Sequence, residues 1–274
     1  MSGLNKTENV NGQKPYAVIK IGGRALEEAE ALDALIREMG SLSDSWSFVL
    51  VHGGGNAVSR LTRRLEIEPV FKDGIRRTSP EEMEIVDMVL SGKVNKQIVR
   101  RFRNAGIPAA GISGSDGGLI TGKPAEPENE NKNRTGKVTS SDPRIIQLLS
   151  GGGFISVIAS PACREGGQAL NINADEAALH IASALKAERL IFILDLPGIL
   201  KEGKVIKEMD QYAVEKAIEE GVIDGGMIPK VRSSVEALKT GVGKIAICGY
   251  KTDGDLTDVC NGKAGSTIML KGEE

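Results

Sequence analysis

Aromatic side chains make up only 3% of the 274 residues, with a single tryptophan. So few rings argue against a platform on which nucleobases stack. An excess of one charge is missing as well. The 35 Lys and Arg face 37 Asp and Glu, for a formal charge of −2 and a pI near 5.9. That leaves no basic face of the kind nucleic acids require, and no nucleic-acid partner is expected. Cysteine and histidine are scarce. Cys163, Cys248 and Cys260 show no C-x-x-C spacing, and His52 and His180 are the only histidines. No zinc site can be drawn from them, and free thiols in a reducing cytoplasm are expected. There is no apolar run long enough to span a membrane and no visible signal peptide, so a membrane partner is not expected. The sequons at Asn5 and Asn133 accordingly carry little weight.

Three familiar ligand motifs also fail. A G-x-G-x-x-G fingerprint is absent. "GGLITGKP" at 117–124 has the spacing of a P-loop, but Pro124 stands where a magnesium-binding Ser or Thr is needed. "HGGG" at 52–55 occurs in hydrolase oxyanion holes, yet "GISGS" puts Ser115 last instead of mid-elbow, and the other histidine falls in mid-helix.

What the chain does have is rhythm. The first 14 residues are polar without an apolar period and read as a flexible tail. Short apolar runs follow at Tyr16–Ile21, Ser47–Val51, Ile107–Ile112, Phe154–Ala159, Arg189–Leu194 and Lys244–Cys248. Between them lie amphipathic patterns near 25–40, 56–66, 80–105, 142–150, 174–186 and 228–241. Strands apolar throughout and separated by helices imply an α/β fold with a mainly parallel sheet covered on both faces. Two stretches break the pattern. Residues 115–140 read as a β-hairpin or mobile polar flap, and "LKEGKVIKE" at 200–208 as a tight hairpin about Glu202 and Gly203. Glycine clusters mark the strand ends: "IGG" after the first, "HGGG" after the second, "GISGSDGG" after the third and "LDLPGI" at the fifth. In open parallel sheets ligands bind at that edge, and successive backbone N–H groups there favour anions.

A few polar residues stand out against this frame. "LNINADEA" at 170–177 places Asn171, Asn173 and Asp175 at alternate positions. In an extended chain they would share one face. An apolar strand precedes them and an alanine-rich helix follows, so they are expected deep in the fold, where polar groups need partners. Lys20 lies inside "VIKIGG", costly in a covered strand unless it meets an anion; snorkelling from the strand end is the plain alternative. Lys230, in "DGGMIPKV", sits beside a helix start with Pro229 in its first turn; surface exposure is its plain alternative. Two lysines, glycine turns and a polar strand face suggest a phosphate site acting by position and charge. Arg76, in "FKDGIRRTSP" ahead of a helix start at Thr78 or Ser79, is either a fork for a substrate carboxylate or a surface arginine.

The stretches "VIKIGG", "VHGGGN", "EPVFKDGIRRT", "EIVDMVLSGKVNKQIV", "AAGISGSDGGL", "LNINADEAA", "LDLPGIL" and "GGMIPKV", in this order from about Tyr16 to Leu270, resemble the amino acid kinase family. The resemblance implies a three-layer αβα sandwich around a mainly parallel central sheet, ATP and Mg2+ as cofactors, and phosphorylation of a carboxylate to an acyl phosphate. Within the family the chain is similar to members acting on the γ-carboxylate of N-acetyl-L-glutamate, the second step of arginine synthesis by the acetylated route. By the same resemblance, Lys20 and Lys230 bind the γ-phosphoryl group and stabilise the transition state, and Asp175 orders the two lysines. Gly22 and Gly23 turn over the phosphates, and Gly54 and Gly55 present amides to the acceptor. Arg76 and Asn171 clamp the acceptor's α-carboxylate, with Asn173 as a companion. A nucleotide pocket is implied at Asp195, Leu196, Pro197, Gly198, Ile199 and Leu200, with Ile223, Asp224, Gly225 and Gly226. Residues 15–178 would bind the acceptor and dimerise, and 179–274 would bind ATP. The acceptor carboxylate is ionised at pH 7, so no general base is needed and the lack of an active-site histidine is expected.

Arginine-inhibited members resemble one another in a long N-terminal helix joining dimers into hexamers, and in a histidine-bearing, leucine-rich helix near the C-terminus. Here the Asn and Gly of the polar first stretch disfavour a helix, and "GYKTDGDLTDVCNGKAGST" at 249–267 has no histidine. A homodimer insensitive to arginine is expected. Other functions stay open. A kinase for carrier-protein-linked aminoadipate or glutamate resembles this chain in "KIGGR" and "SDGGL", but tends to show Asp-Gly-Asp in place of "NADE" and Asn-Arg-Lys in place of "IPK". A carbamate kinase, or a non-catalytic amino-acid or nucleotide sensor keeping the fold, are the others.

Overall fold

The computed structural model describes residues 14–72 and 74–271. The tail expected at residues 1–14 therefore lies outside the described residues, apart from Lys14. All six apolar runs become strands of one sheet: β1 (Tyr16–Ile21), β2 (Ser47–His52), β5 (Ala109–Ser113), β8 (Ile155–Ala159), β11 (Arg189–Leu194) and β15 (Lys244–Gly249). Two short strands, β14 (Glu208–Met209) and β16 (Ser266–Ile268), complete the order β14-β16-β15-β11-β1-β2-β8-β5. Every pairing in it is parallel except β15 with β16.

Side chains alternate along β1 into two separate cores, which is why it reads as apolar throughout. Ala17, Ile19 and Ile21 share one core with residues of α2 (Ala29–Ser41), α4 (Pro80–Asp87), α5 (Asn95–Asn104) and α10 (Asp255–Cys260). Val18 shares the other with residues of α6 (Arg144–Gly151), α7 (Ala174–Leu185), α8 (Gln211–Glu219) and α9 (Met227–Lys239). Helices thus cover both faces, a three-layer αβα sandwich. By the same alternation Lys20 follows Val18 onto the face of α7 and α9. The pattern expected near 80–105 is one run in which α4 and α5 are joined by π-helical turns at Met88–Val94. Among the described residues no helix is long and apolar enough to cross a membrane.

Residues 115–140 are not a free flap. β6 (Ile120–Pro124) and β7 (Thr135–Ser141) pair antiparallel, and two strands the sequence did not announce, β9 (Ala162–Arg164) and β10 (Ala169–Ile172), close them into a four-stranded barrel. Burial drives the closure: Leu119, Ile120, Val138, Leu170 and Ile172 all enter the α7-side core. Two hairpins project elsewhere. β3 (Val70–Lys72) pairs with β4 (Ile75–Arg77), and β12 (Leu200–Lys201) with β13 (Lys204–Val205). In the second, Glu202 and Gly203 have φ of 51° and 76°, the double positive φ of a two-residue hairpin turn. The lobe boundary expected at residue 178 falls inside α7, and the central sheet runs across it without a break.

Candidate active site

The ends of β1, α7 and α9 meet at the carboxyl edge of the sheet, where the strand order reverses about β1. Lys20 pairs in register with Phe192 of β11 and Val51 of β2. Asn173 caps α7, its side chain accepting from the Asp175 N–H at 2.8 Å. That places Asp175 in the first turn, where unpaired N–H groups favour a carboxylate. Lys230, on α9, comes alongside. Asp175 Oδ1 lies 2.8 Å from Lys20 Nζ and Oδ2 lies 3.0 Å from Lys230 Nζ. These are ion pairs by distance; Oδ1 meets no partner at hydrogen-bond angles. The Lys20 and Lys230 side chains are only 12% and 14% exposed, so neither lysine snorkels free or lies on the surface. Burial works against an ionised Asp175, but the two ammonium groups outweigh it and hold the carboxyl below its ordinary 3.8. Lys230 Nζ also lies 5.3 Å over the Phe192 ring, a cation–π contact.

The alternation in "LNINADEA" stops at Ile172, where β10 ends. An asparagine cap starts a helix, and the helical period takes over. Asn171 is half-buried and its Nδ2 donates to Thr78 Oγ1 at 2.8 Å. Asn173 is exposed, and its Oδ1 serves the cap while its Nδ2 is not part of it. The three residues therefore line a cleft and are not buried deep as the sequence suggested.

That cleft, about 500 Å³, brings together Lys20, Gly22, Gly23, Gly54, Gly55, Arg76, Asn171, Asn173 and Asp175. A Cβ on Gly22 would stand 2.8 Å from Lys20 Nζ, so glycine leaves room for the ammonium. Gly54 has a φ of 146°, and a Cβ there would meet Leu90 Cδ2 at 2.8 Å; both the turn and the packing of the π-helical segment require glycine. It opens α3 (Gly55–Arg64), whose first N–H groups are free for an anion.

The nucleotide-side residues do not line this cleft. Asp195 approaches it, with its carboxylate 3.8 Å from where a Cβ on Gly23 would lie. Leu196, Pro197, Leu200, Asp224, Gly225 and Gly226 are exposed beyond it. Ile199 and Ile223, 4% and 2% exposed, point into the core, so only their backbone can meet a ligand. Gly198 packs on β16, where a Cβ would stand 2.8 Å from Ser266 Oγ, and the Ile199 N–H donates to that same oxygen at 2.8 Å.

Arg76 is no surface arginine. It is 8% exposed, and its guanidinium donates to Glu82 Oε1 at 2.5 Å, to the Gly55 carbonyl at 3.1 Å and to Ser59 Oγ. The Phe71 ring lies 4.8 Å away. Sequence reasoning missed these partners. Glu82 carried a signal: Ser79 is the N-cap of α4 and accepts from the Glu82 N–H at 3.1 Å, the backbone half of an S-x-x-E box. It also missed Thr78, Asn133 and Thr135. Asn133 Oδ1 accepts from the N–H groups of Thr78 and Thr135 at 3.2 and 3.0 Å, and Thr135 Oγ1 donates to the Arg76 carbonyl at 2.8 Å. This stitching ties the arginine-bearing segment to the barrel across more than fifty residues, beyond any local sequence signal.

The model of the amino acid kinase family matches residues 15–249. The chain belongs to the amino acid kinase family. It is 39% identical over 236 residues to the acetylglutamate kinase of Geobacillus kaustophilus, covering 86% of this chain and 90% of that protein. It is 43% identical over 232 residues to that of Gloeobacter violaceus, covering 82% and 77%, and 39% identical over 260 residues to the chloroplastic acetylglutamate kinase of Arabidopsis thaliana, covering 93% and 75%. Among solved structures, smu.665 from Streptococcus mutans superposes with a TM-score of 0.77 at 28% identity, over 93% of this chain and 99% of that one. A Giardia carbamate kinase gives a TM-score of 0.71 at 15% identity, over 94% and 99%, a likeness of fold alone. As an amino acid kinase, the protein uses ATP as its phosphoryl donor.

Proposed function

We propose that this amino acid kinase transfers the γ-phosphoryl group of ATP to the γ-carboxylate of N-acetyl-L-glutamate, the second step of arginine synthesis by the acetylated route. The observation that carries the reading is the Asp175 bridge, one carboxylate holding Lys20 and Lys230 where the cleft meets the nucleotide-side loops. The names of relatives at 39–43% identity support the acceptor.

In the reaction a γ-carboxylate oxygen attacks phosphorus in line. The new O–P bond forms as the bond to the bridging oxygen breaks, and ADP carries away the electron pair. The nucleophile is ionised already, so the task is to bring two anions together. Lys20 and Lys230 offset the repulsion on the γ-phosphoryl, and the cleft supplies alignment. For the acceptor's α-carboxylate, Arg76 keeps two of its five N–H groups uncommitted and Asn171 one of its two. The donor set fits a Mg2+ held by the nucleotide phosphates: among the described residues no group of three His, Cys, Asp or Glu could enclose a metal, and Mg2+ commonly keeps waters and phosphate oxygens as ligands. Bound there, it neutralises phosphate charge.

Residues 15–178 then serve the acceptor and 179–274 the nucleotide; Lys230 and Asp195 both belong to the second half. A homodimer is part of the reading, supported by β5. It is an edge strand of the sheet, half-buried along its length, and such edges favour pairing with another chain.

The test is ADP release with N-acetylglutamate, glutamate, carbamate and carrier-protein-linked aminoadipate as acceptors. N-acetylglutamate should be turned over fastest. Equal or faster turnover of another acceptor overturns the assignment, and nucleotide binding without any turnover would point to a sensor.

A further inference from the structure

Beneath the "HGGG" turn lies a polar network that the mechanism above does not use. His52, at the end of β2, and Asn95, at the start of α5, are both 0% exposed. Asn95 Nδ2 is 2.9 Å from the Val157 carbonyl, 3.2 Å from the Ile112 carbonyl and 3.1 Å from His52 Nε2. Its Oδ1 accepts from Lys96 Nζ at 2.9 Å. Carbonyl oxygens cannot donate, so the amide atom facing them is nitrogen; its two hydrogens are shared among three acceptors, and His52 Nε2, facing this donor group, is the ring nitrogen without a proton. The proton of the neutral ring therefore sits on Nδ1, which donates to the Gly53 carbonyl at 2.8 Å. Burial keeps the ring neutral, pushing its pKa down to about 4.

The Gly53 N–H donates in turn to the Ile21 carbonyl of β1 at 3.2 Å. Gly53 is thus tied at both ends, to β1 and to His52. Across a trans peptide, the carbonyl and the next residue's N–H point in opposite directions. Holding the Gly53 carbonyl on a buried imidazole therefore turns the Gly54 N–H away from the core, on a turn whose Gly53 and Gly54 both line the cleft.

We infer that His52 is a positioning residue: with Asn95 fixing its tautomer, it sets the orientation of the Gly54 amide that receives the acceptor. The inference rests on the acceptor reading above for the identity of the ligand, and on geometry for the orientation.

The test pairs two variants. H52N carries an amide nitrogen at the level of Nδ1 and can keep the bond to Gly53; H52Q carries it at the level of Nε2 and cannot. H52Q should raise the KM for N-acetylglutamate about tenfold, roughly the loss of one hydrogen bond, leave the KM for ATP unchanged, and speed amide hydrogen exchange at Gly53, whose N–H is bonded to the Ile21 carbonyl, in the free protein. H52N should recover most of both losses. Equal rises in the two KM values, or unchanged Gly53 exchange, would overturn the inference. If wild type fails to turn over N-acetylglutamate, the acceptor reading falls, while the exchange rates still decide the role of His52. Nitrogen-15 NMR of the His52 ring decides the tautomer without any variant: a protonated Nδ1 is expected, and a protonated Nε2 would overturn the inference.

Discussion

Replacing Asp175 by asparagine removes one charge and keeps the side chain's volume. The native oxygens lie 2.8 Å from Lys20 Nζ and 3.0 Å from Lys230 Nζ. At an effective dielectric of about 20, each contact carries roughly 5–6 kcal/mol of Coulomb attraction, much of it offset by the desolvation of three charges. Removing one member of a buried ion pair typically costs about 3–5 kcal/mol. For a domain of this size that lowers Tm by roughly 6–20 °C. The two ammonium groups are then left together without a counter-charge, so a non-hydrolysable ATP analogue should restore more stability to D175N than to wild type. Turnover should fall by about two to three orders of magnitude, since the lysines are no longer held for in-line transfer. The KM for N-acetylglutamate should change little. ADP release and thermal unfolding, each with and without the analogue, read these effects. The reasoning would be refuted by a D175N variant that turns over within about threefold of wild type, well short of the loss expected for misaimed lysines, or by an unchanged Tm.

Other outcomes follow from the same geometry. Lys20→Ala and Lys230→Ala should lose turnover far more than they lose calorimetric affinity for N-acetylglutamate; full turnover in both would contradict their role. Gly22→Ala would put a Cβ 2.8 Å from Lys20 Nζ and should cut kcat about tenfold or more, with an unchanged circular dichroism spectrum. Stability should also fall in acid. The His52 ring titrates near 4 when folded against an ordinary 6.5, so the unfolded chain binds the proton first; stability is full above pH 6.5 and declines towards pH 4 by about 3 kcal/mol. The depressed Asp175 carboxyl adds a further loss as pH falls below 3.8 through its folded value. A urea series across this range measures both, and H52N should flatten the upper limb. Light scattering should give a homodimer, and millimolar arginine should leave the rate unchanged.

The central sheet was legible because both its faces are covered. β1, β2, β5, β8, β11 and β15 are mainly apolar without a period-two alternation, and the helices between them carry clear periods. The barrel was not, because β9 and β10 are three and four residues long and owe their pairing to distant partners. At the site, Lys20 could be read because a lysine in a covered strand demands an anion. From its residues alone Asp175 reads only as a polar position, since its meaning depends on Lys230 some fifty residues away; its role of ordering the lysines came from the family resemblance. Asn173 and Ile199 carry structural tasks that a motif does not show: the side-chain carbonyl oxygen of one caps a helix and the side chain of the other is buried in the core. Glu82, Thr78 and Asn133 were not read as supports of the site because ordinary polar residues acquire such roles only when the fold joins them.

The most direct test traps the product. Purified protein with ATP and N-acetylglutamate, quenched with hydroxylamine, should yield N-acetylglutamyl hydroxamate in step with ADP, and D175N should yield almost none. ADP released without hydroxamate, or hydroxamate formed equally well from free glutamate, would contradict phosphoryl transfer to the γ-carboxylate of N-acetylglutamate by the lysine pair that Asp175 holds.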